Sequence, residues 1–527
     1  MKSPLIKMLL LTAGAVLFNT LFWEEKIAVN AMLFAVFIVS SVFYLYPAAF
    51  NGPIVKWLLV AHCLTIATVI FHNTNLSKLA FMVTLLLVIT FSQYRHRSVG
   101  YAAASGVMNY LLAIPAFFST LAGLKLNHPG GAGIGKSIRL LLIPLLLLCL
   151  FFLLYQYANA MFKTLLNDMG IALQHFFNTI FSWFSLSRFV FFITGLLLTT
   201  GLLLKSRITY FSEKDVSRKD DLTRTKHSLL KWQRSSWFDL LSLFLGRFAS
   251  GVLALRNENR TAVTSLFLLN ILLLCINVVD VVYVWFGFKY NNDINLSDYV
   301  HEGTGLLIFS ILLAMVLLLF FFRGNLNFYK RNKWLRYGAY AWLLQNGVLV
   351  ISVLFRDYYY IVHYGLAYKR IGVLVFLLMV LVGLITVFYK IHQRKTAYYL
   401  LRVNGWCVMI VLVISSGVHW DETIARYNLA RKDTIALDVK FLLTLSDKTL
   451  PLLGNNATVL EGNLINQTGT EGEPFYRSAL APKQVFENRK KAFFEARQRH
   501  SWLSWNRADE QVYWLLTQTH RPPVARQ

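Results

Sequence analysis

The sequence predicts an all-α fold: a polytopic α-helical membrane bundle of about eleven transmembrane helices, with interfacial helices and a small helical C-terminal tail. Three observations predict it. Of 527 residues, 56% are hydrophobic and only 15% are charged, where a soluble domain carries roughly a quarter charged residues. Apolar runs about as long as a bilayer is thick recur from Leu5 to beyond Met409. Lys and Arg gather in alternate connections between those runs.

Taken in order, the runs place spans at residues 5–23, 27–46, 56–71, 78–93, 138–161, 189–204, 261–288, 303–322, 334–355, 371–389 and 403–419. The first resembles a secretory signal, but it ends in Phe22-Trp23-Glu24-Glu25 with no small-residue cleavage site, so it reads as a retained span. Residues 98–121 are long enough to cross, yet they contain Gly100, Gly106 and Pro115 and have basic residues at both ends. If they do not cross, the inner connections hold 29 Lys and Arg, the outer loops 8 and the tail 15. That asymmetry is the positive-inside pattern. It predicts a cytoplasmic N-terminus, an external tail, and an interfacial or re-entrant cytoplasmic helix at 98–121. It also accounts for the net charge of +26 without a nucleic-acid partner.

Residues 171–184 and 236–255 look amphipathic and suit the membrane interface. The stretch from Lys205 to Arg234 reads as a solvated linker, with its basic excess near anionic lipid heads. The organisation expected is a transmembrane domain over 1–419, containing the large cytoplasmic loop 205–260, and an extracytoplasmic helical tail over 420–527. Within the tail, 438–453 and 484–500 have helical character, and Trp502, Trp505 and Trp514 stand out. Four cysteines, Cys63, Cys149, Cys275 and Cys407, all lie in apolar runs and form neither a disulfide framework nor a zinc spacing.

Residues 130–137, GGAGIGKS, match the phosphate-loop string, but a leucine-rich span follows and no buried strand precedes, so Lys136 is read as part of a hinge. His301-Glu302-Gly303 lacks the second histidine of a zincin, since position 305 is Gly305. Its bland reading is a helix N-terminus at a water-facing boundary, where Glu is favoured. Asn270, Asn277 and Asp280 are costlier. They share one helical face in a span, continued by Tyr283 and Gly287, and a carboxylate at that depth needs a partner. The nearest cations on the outer side are Arg356 and Arg370, which bracket RDYYYIVHYGLAYKR, and Gln345 and Asn346 are placed to join the same network. The candidate site is therefore an outward polar cluster of Asp280, His301, Glu302, Arg356 and Arg370. No catalytic, cofactor or metal residue is assigned, and no heptad repeat or internal duplication is evident.

The order Asp280, Tyr299-Val300-His301-Glu302-Gly303, Gln345-Asn346, Arg356-Asp357, Tyr364 to Arg370, Arg426-Tyr427-Asn428-Leu429 and Asp438 resembles a bacterial multi-pass family, domain of unknown function 4173, related to family 4153. The resemblance covers residues 55–450. It implies a bacterial cytoplasmic membrane within an envelope that has an outer membrane, and it implies no activity. The expected role is non-enzymatic, in transport or as an envelope accessory. The alternatives are a membrane-embedded enzyme acting on lipid or glycan, and a sensor or scaffold working through the 205–260 loop. A through-path at the polar cluster favours transport, a lateral opening to lipid an enzyme, and dry packing a scaffold.

Overall fold

Helix is the only extended regular structure among the described residues, as expected of a chain that must satisfy its backbone hydrogen bonds inside lipid. The computed structural model describes residues 3–124, parts of 144–159, 160–180, 185–223, 254–286, 296–322, 325–435, 437–461 and 481–518. The chain divides into two units: Met1–Asp215 with Ser415–Gly417 and Glu495–Gln511, and Val216–Ile414 with Val418–Phe494 and Val512–Gln527.

The first unit carries α1 (Pro4–Phe22), α2 (Val29–Leu45), α3 (Pro53–Phe71), α4 (Asn75–Gln93), α5 (Val99–Leu111), α6 (Ala113–Ala122), α7 (Ala160–Ile180), α8 (Leu186–Leu203) and the start of α9 (Tyr210–Ser217). Small residues let α1 and α8 pack closely and antiparallel. A Cβ at Gly14 would lie 2.4 Å from Thr199 Cγ2, and one at Gly195 would lie 2.5 Å from Phe18. Leu11, Phe34, Ile38, Phe81, Leu85 and Leu203 close the apolar core.

At one end of this unit Tyr46 donates to Leu203 O at 3.2 Å and Gln93 to Leu202 O at 2.7 Å, so α2, α4 and α8 finish together. The α5–α6 pair, bent by 60°, follows α4 at this end, and Asn109 Nδ2 within α5 donates to Gln93 Oε1 at 2.7 Å. It also finishes there: Arg207 donates to Ser119 Oγ at 3.2 Å, and a Cβ on Gly123 would lie 3.3 Å from Pro4 at the start of α1. At the other end, Asn73 donates to Ile27 O at 2.7 Å.

The second unit carries α10 (Ala254–Asp280), α11 (Leu296–Phe321), α12 (Lys333–Tyr364), α13 (Tyr368–Gln393) and most of α14 (Ala397–Ser416). Leu266, Ile311, Leu318, Phe322, Val350 and Leu377 form its membrane-type core. Then come α15 (Trp420–Ala430), α16 (Val439–Leu442), α17 (Leu450–Gly454), α18 (Ala457–Glu461), α19 (Pro482–Arg499) and α20 (Arg507–Gln518), the last two divided between the units. A separate apolar cluster of Ile424, Leu442, Leu450, Leu453, Phe486 and Leu516 holds them. The helix expected at 438–453 is broken into short turns, with Pro451 inside the first turn of α17, where its missing N–H costs nothing.

Among the described residues, eight helices are long and apolar enough to cross a membrane: α1, α3, α4, α8, α10 with its continuation to Phe286, α12, α13 and α14. Eleven were expected. Val29–Leu45 and Gly305–Phe321 are apolar but shorter, and half of 138–161 lies outside the described residues. The expectations for Gly130 to Ser137 and for nearly all of 236–255 also fall outside them.

Candidate functional site: a polar seam between two long helices

The face of α10 that carries Asn270, Asn277 and Asp280 meets α12. Asn270 Nδ2 donates to Gly338 O at 3.0 Å and Asn277 Nδ2 to Gln345 O at 3.1 Å. Both partners step by seven residues in the same direction, so the helices run parallel. Their spacing matches the near-parallel crossing of coiled coils. Gln345 Nε2 donates to Asn270 Oδ1 at 2.8 Å, which ties the first two rungs together. Asn277 is 5% exposed and Asp280 4% exposed, so this stripe is packed against protein.

Asp280 receives Arg356. Arg356 Nη2 lies 2.5 Å from Asp280 Oδ1, with the side chains 10% and 5% exposed. A charge-assisted bond between two shielded groups is far stronger than a surface ion pair. Immediately after Asp280, α10 widens into a π-helical segment, Val281–Phe286. Such segments shift the side-chain register. Tyr283, expected to continue the stripe, is 67% exposed instead. Trp285 takes its place and donates from Nε1 to Ser352 Oγ at 3.0 Å.

Arg370, the other candidate partner, is engaged elsewhere. Its Nη1 donates to Tyr364 O at 2.9 Å and also to Gly365 O, and its guanidinium lies 4.2 Å from the Tyr360 ring centroid. It thereby satisfies the open carbonyls at the C-terminal end of α12, where a cation is also favoured by the helix dipole. His301 and Glu302 lie in the first turns of α11, and their side chains fall outside the described residues. Asn346 is buried and donates to Trp342 O in its own helix rather than joining the seam.

Three polar groups were missed in the sequence. His62 is 2% exposed in α3, and its Nδ1 lies 2.9 Å from Thr84 Oγ1, which lies 2.9 Å from Thr65 Oγ1. Lys390 is 4% exposed and donates to Phe322 O at 2.9 Å, at the end of α11. Asp215, fully buried, accepts from His96 Nδ1 at 3.0 Å and from Arg97 N at 2.7 Å. A histidine inside an apolar run is itself the signal that would have found His62, whereas Lys390 falls one residue past the span expected at 371–389. Asp215 sits in an ordinary polar stretch and gives no such signal.

Eight membrane-length helices among the described residues, and a buried ion pair between two of them, define the class: a helical membrane protein. The chain belongs to the family described as Domain of unknown function (DUF4153), whose model matches residues 31–456. This is the related family named with the motif resemblance; the likeness to family 4173 stays a resemblance. No curated protein and no solved structure matches the chain.

Proposed function

We propose that this is a bacterial inner-membrane protein of about eleven spans, non-enzymatic, serving transport or an envelope accessory role, with the accessory role preferred. The observation that carries the preference is the packing of the Asp280–Arg356 pair: side chains 5% and 10% exposed, clamped between α10 and α12. An enzyme acting on lipid needs its reactive groups open to lipid. The lipid-facing side of α10 instead presents Leu272, Val279, Val282 and Tyr283, all exposed and none of them charged.

The orientation proposed has the N-terminus cytoplasmic and residues 420–527 periplasmic, with 1–419 as the membrane domain. Its support is the charge bias together with one parity argument. Residues 500–504 bond to the α1–α2 turn, so an even number of crossings must separate that turn from the tail. With residues 98–121 re-entrant, both ends at one end of the unit, spans two to eleven meet that requirement. Ser98, Ser105 and Asn109 of that segment are buried against protein, as re-entrant backbone requires.

The deciding experiment expresses a charge-swapped protein, Asp280→Arg with Arg356→Asp, in a strain lacking the gene. If the pair is a structural bond, the swapped protein accumulates and restores envelope integrity, scored as resistance to detergent and osmotic shock. A swapped protein that folds, remains monodisperse and fails to restore it would assign the carboxylate a role in moving an ion and overturn the preference.

A further inference from the structure

Within the first unit, residues 500–504 of the tail bond to the connection between α1 and α2. His500 Nδ1 lies 3.0 Å from Glu24 O, Ser501 N donates to Glu25 Oε1 at 3.0 Å, and Lys26 N donates to Ser504 Oγ at 2.7 Å. Ser504 Oγ also bonds the Glu25 carboxylate. Residues 24–26 join α1 to α2, so this 3-10 turn, Trp502–Ser504, is held at the level where those helices end. Its middle residue, Leu503, packs on the apolar core of the unit. Trp502 and Trp505, on either side of it, are not part of that core and are 68% and 44% exposed. Close by, Trp23 caps α1 and carries the Arg188 guanidinium at 6.0 Å, and the Arg507 guanidinium lies 5.3 Å from Phe71 at the end of α3.

The geometry points to a lipid-binding surface: Trp502 and Trp505 insert their indoles into the outer headgroup boundary of the bilayer that α1 and α2 cross. Indole has a large apolar ring and one N–H donor, and it concentrates where hydrocarbon meets water. A turn fixed by hydrogen bonds at that height loses little further entropy when its two rings enter the boundary. Lipid is the occupant because the clamp sets the depth. A protein partner would need no particular level relative to the ends of α1, α2 and α3. The inference rests on the reading that α1 and α2 span.

The test uses the full chain with its four cysteines replaced by serine, reconstituted into phosphatidylethanolamine–phosphatidylglycerol vesicles. Nitroxide labels are placed one at a time at Trp502→Cys, Trp505→Cys, Val36→Cys and Arg499→Cys, and their access to oxygen and to a water-soluble nickel chelate is compared. Val36 is 57% exposed on α2 and reports lipid; Arg499, with a side chain 78% exposed, reports water. Labels at 502 and 505 are expected to fall between the two. Water-like values at both, with Val36 reading lipid, would overturn the anchor while leaving the spans standing. Poor access to both reagents at 502 and 505 would mean that protein covers the turn, and would overturn it equally. A water-like Val36 would refute the spanning reading itself.

Discussion

Removing Arg356 from the Asp280–Arg356 pair strands the carboxylate of Asp280. Arg356→Gln leaves a carboxylate with 5% side-chain exposure between two helices. Uncompensated buried charges of this kind cost about 3–5 kcal/mol. Asp280→Asn should cost less, because Arg356 lies eight residues from the end of α12 at Tyr364, about 12 Å of helix, and its long side chain can lean toward the boundary. Removing both charges leaves an amide pair worth about 1 kcal/mol as a hydrogen bond and no stranded charge. The double variant should therefore be more stable than Arg356→Gln alone, with a coupling of about 2–3 kcal/mol. The assay is reversible unfolding of purified protein in detergent titrated with dodecyl sulfate, for the two single variants and the double variant. Arg370→Gln, alone and with Asp280→Asn, serves as control, because Arg370, at the start of α13, bonds carbonyls at the end of α12. Additive losses for Asp280 with Arg356 would refute the pairing argument, as would coupling to Arg370 of equal size.

Three further outcomes follow from packing and charge. Gly14→Ala should destabilise by about 1–3 kcal/mol through overpacking, since its methyl would lie 2.4 Å from Thr199, whereas Gly100→Ala meets nothing within 4 Å and should be neutral or stabilising; thermal melts of the two separate steric conflict from helix propensity. Gly365 has φ of +79° and Asn428 Oδ1 2.5 Å from its Cβ position, so Gly365→Ala should cost at least about 1–2 kcal/mol and weaken the Asn428 bonds to Leu366 N and O at 2.6 and 2.9 Å, visible as faster amide exchange at Leu366. Burial pushes the Glu25 carboxyl up, but bonds from Ser501 and Ser504 outweigh it and hold it below its ordinary 4.5. A depressed acid stabilises the clamp fully above the ordinary carboxyl range and loses that contribution as pH falls through its lower folded value. Amide protection of residues 501–504 should thus be flat near neutrality and drop in acid, and Glu25→Gln should abolish the acid drop.

What was legible in the sequence rests on terms that are local to the chain. Whether an 18-residue stretch prefers lipid depends on its own side chains, so most spans and the charge bias could be read directly. The Asn270, Asn277 and Asp280 face was legible for the same reason, because helical spacing places those residues together whatever lies opposite. Tertiary structure decided what lies opposite. Arg356 and Arg370 are chemically equal candidates, and only the parallel register of α10 on α12 brings the first to 2.5 Å from Asp280 and leaves the second on backbone carbonyls. The π segment after Asp280 exchanged Tyr283 for Trp285 by rotating the register, a change that a constant helical period does not contain. The return of α5–α6 to its starting end and the bond of residues 500–504 to residues 24–26 join points far apart along the chain. Partners in such contacts are chosen by which helix ends arrive together, and that is a property of the assembled bundle rather than of any one segment.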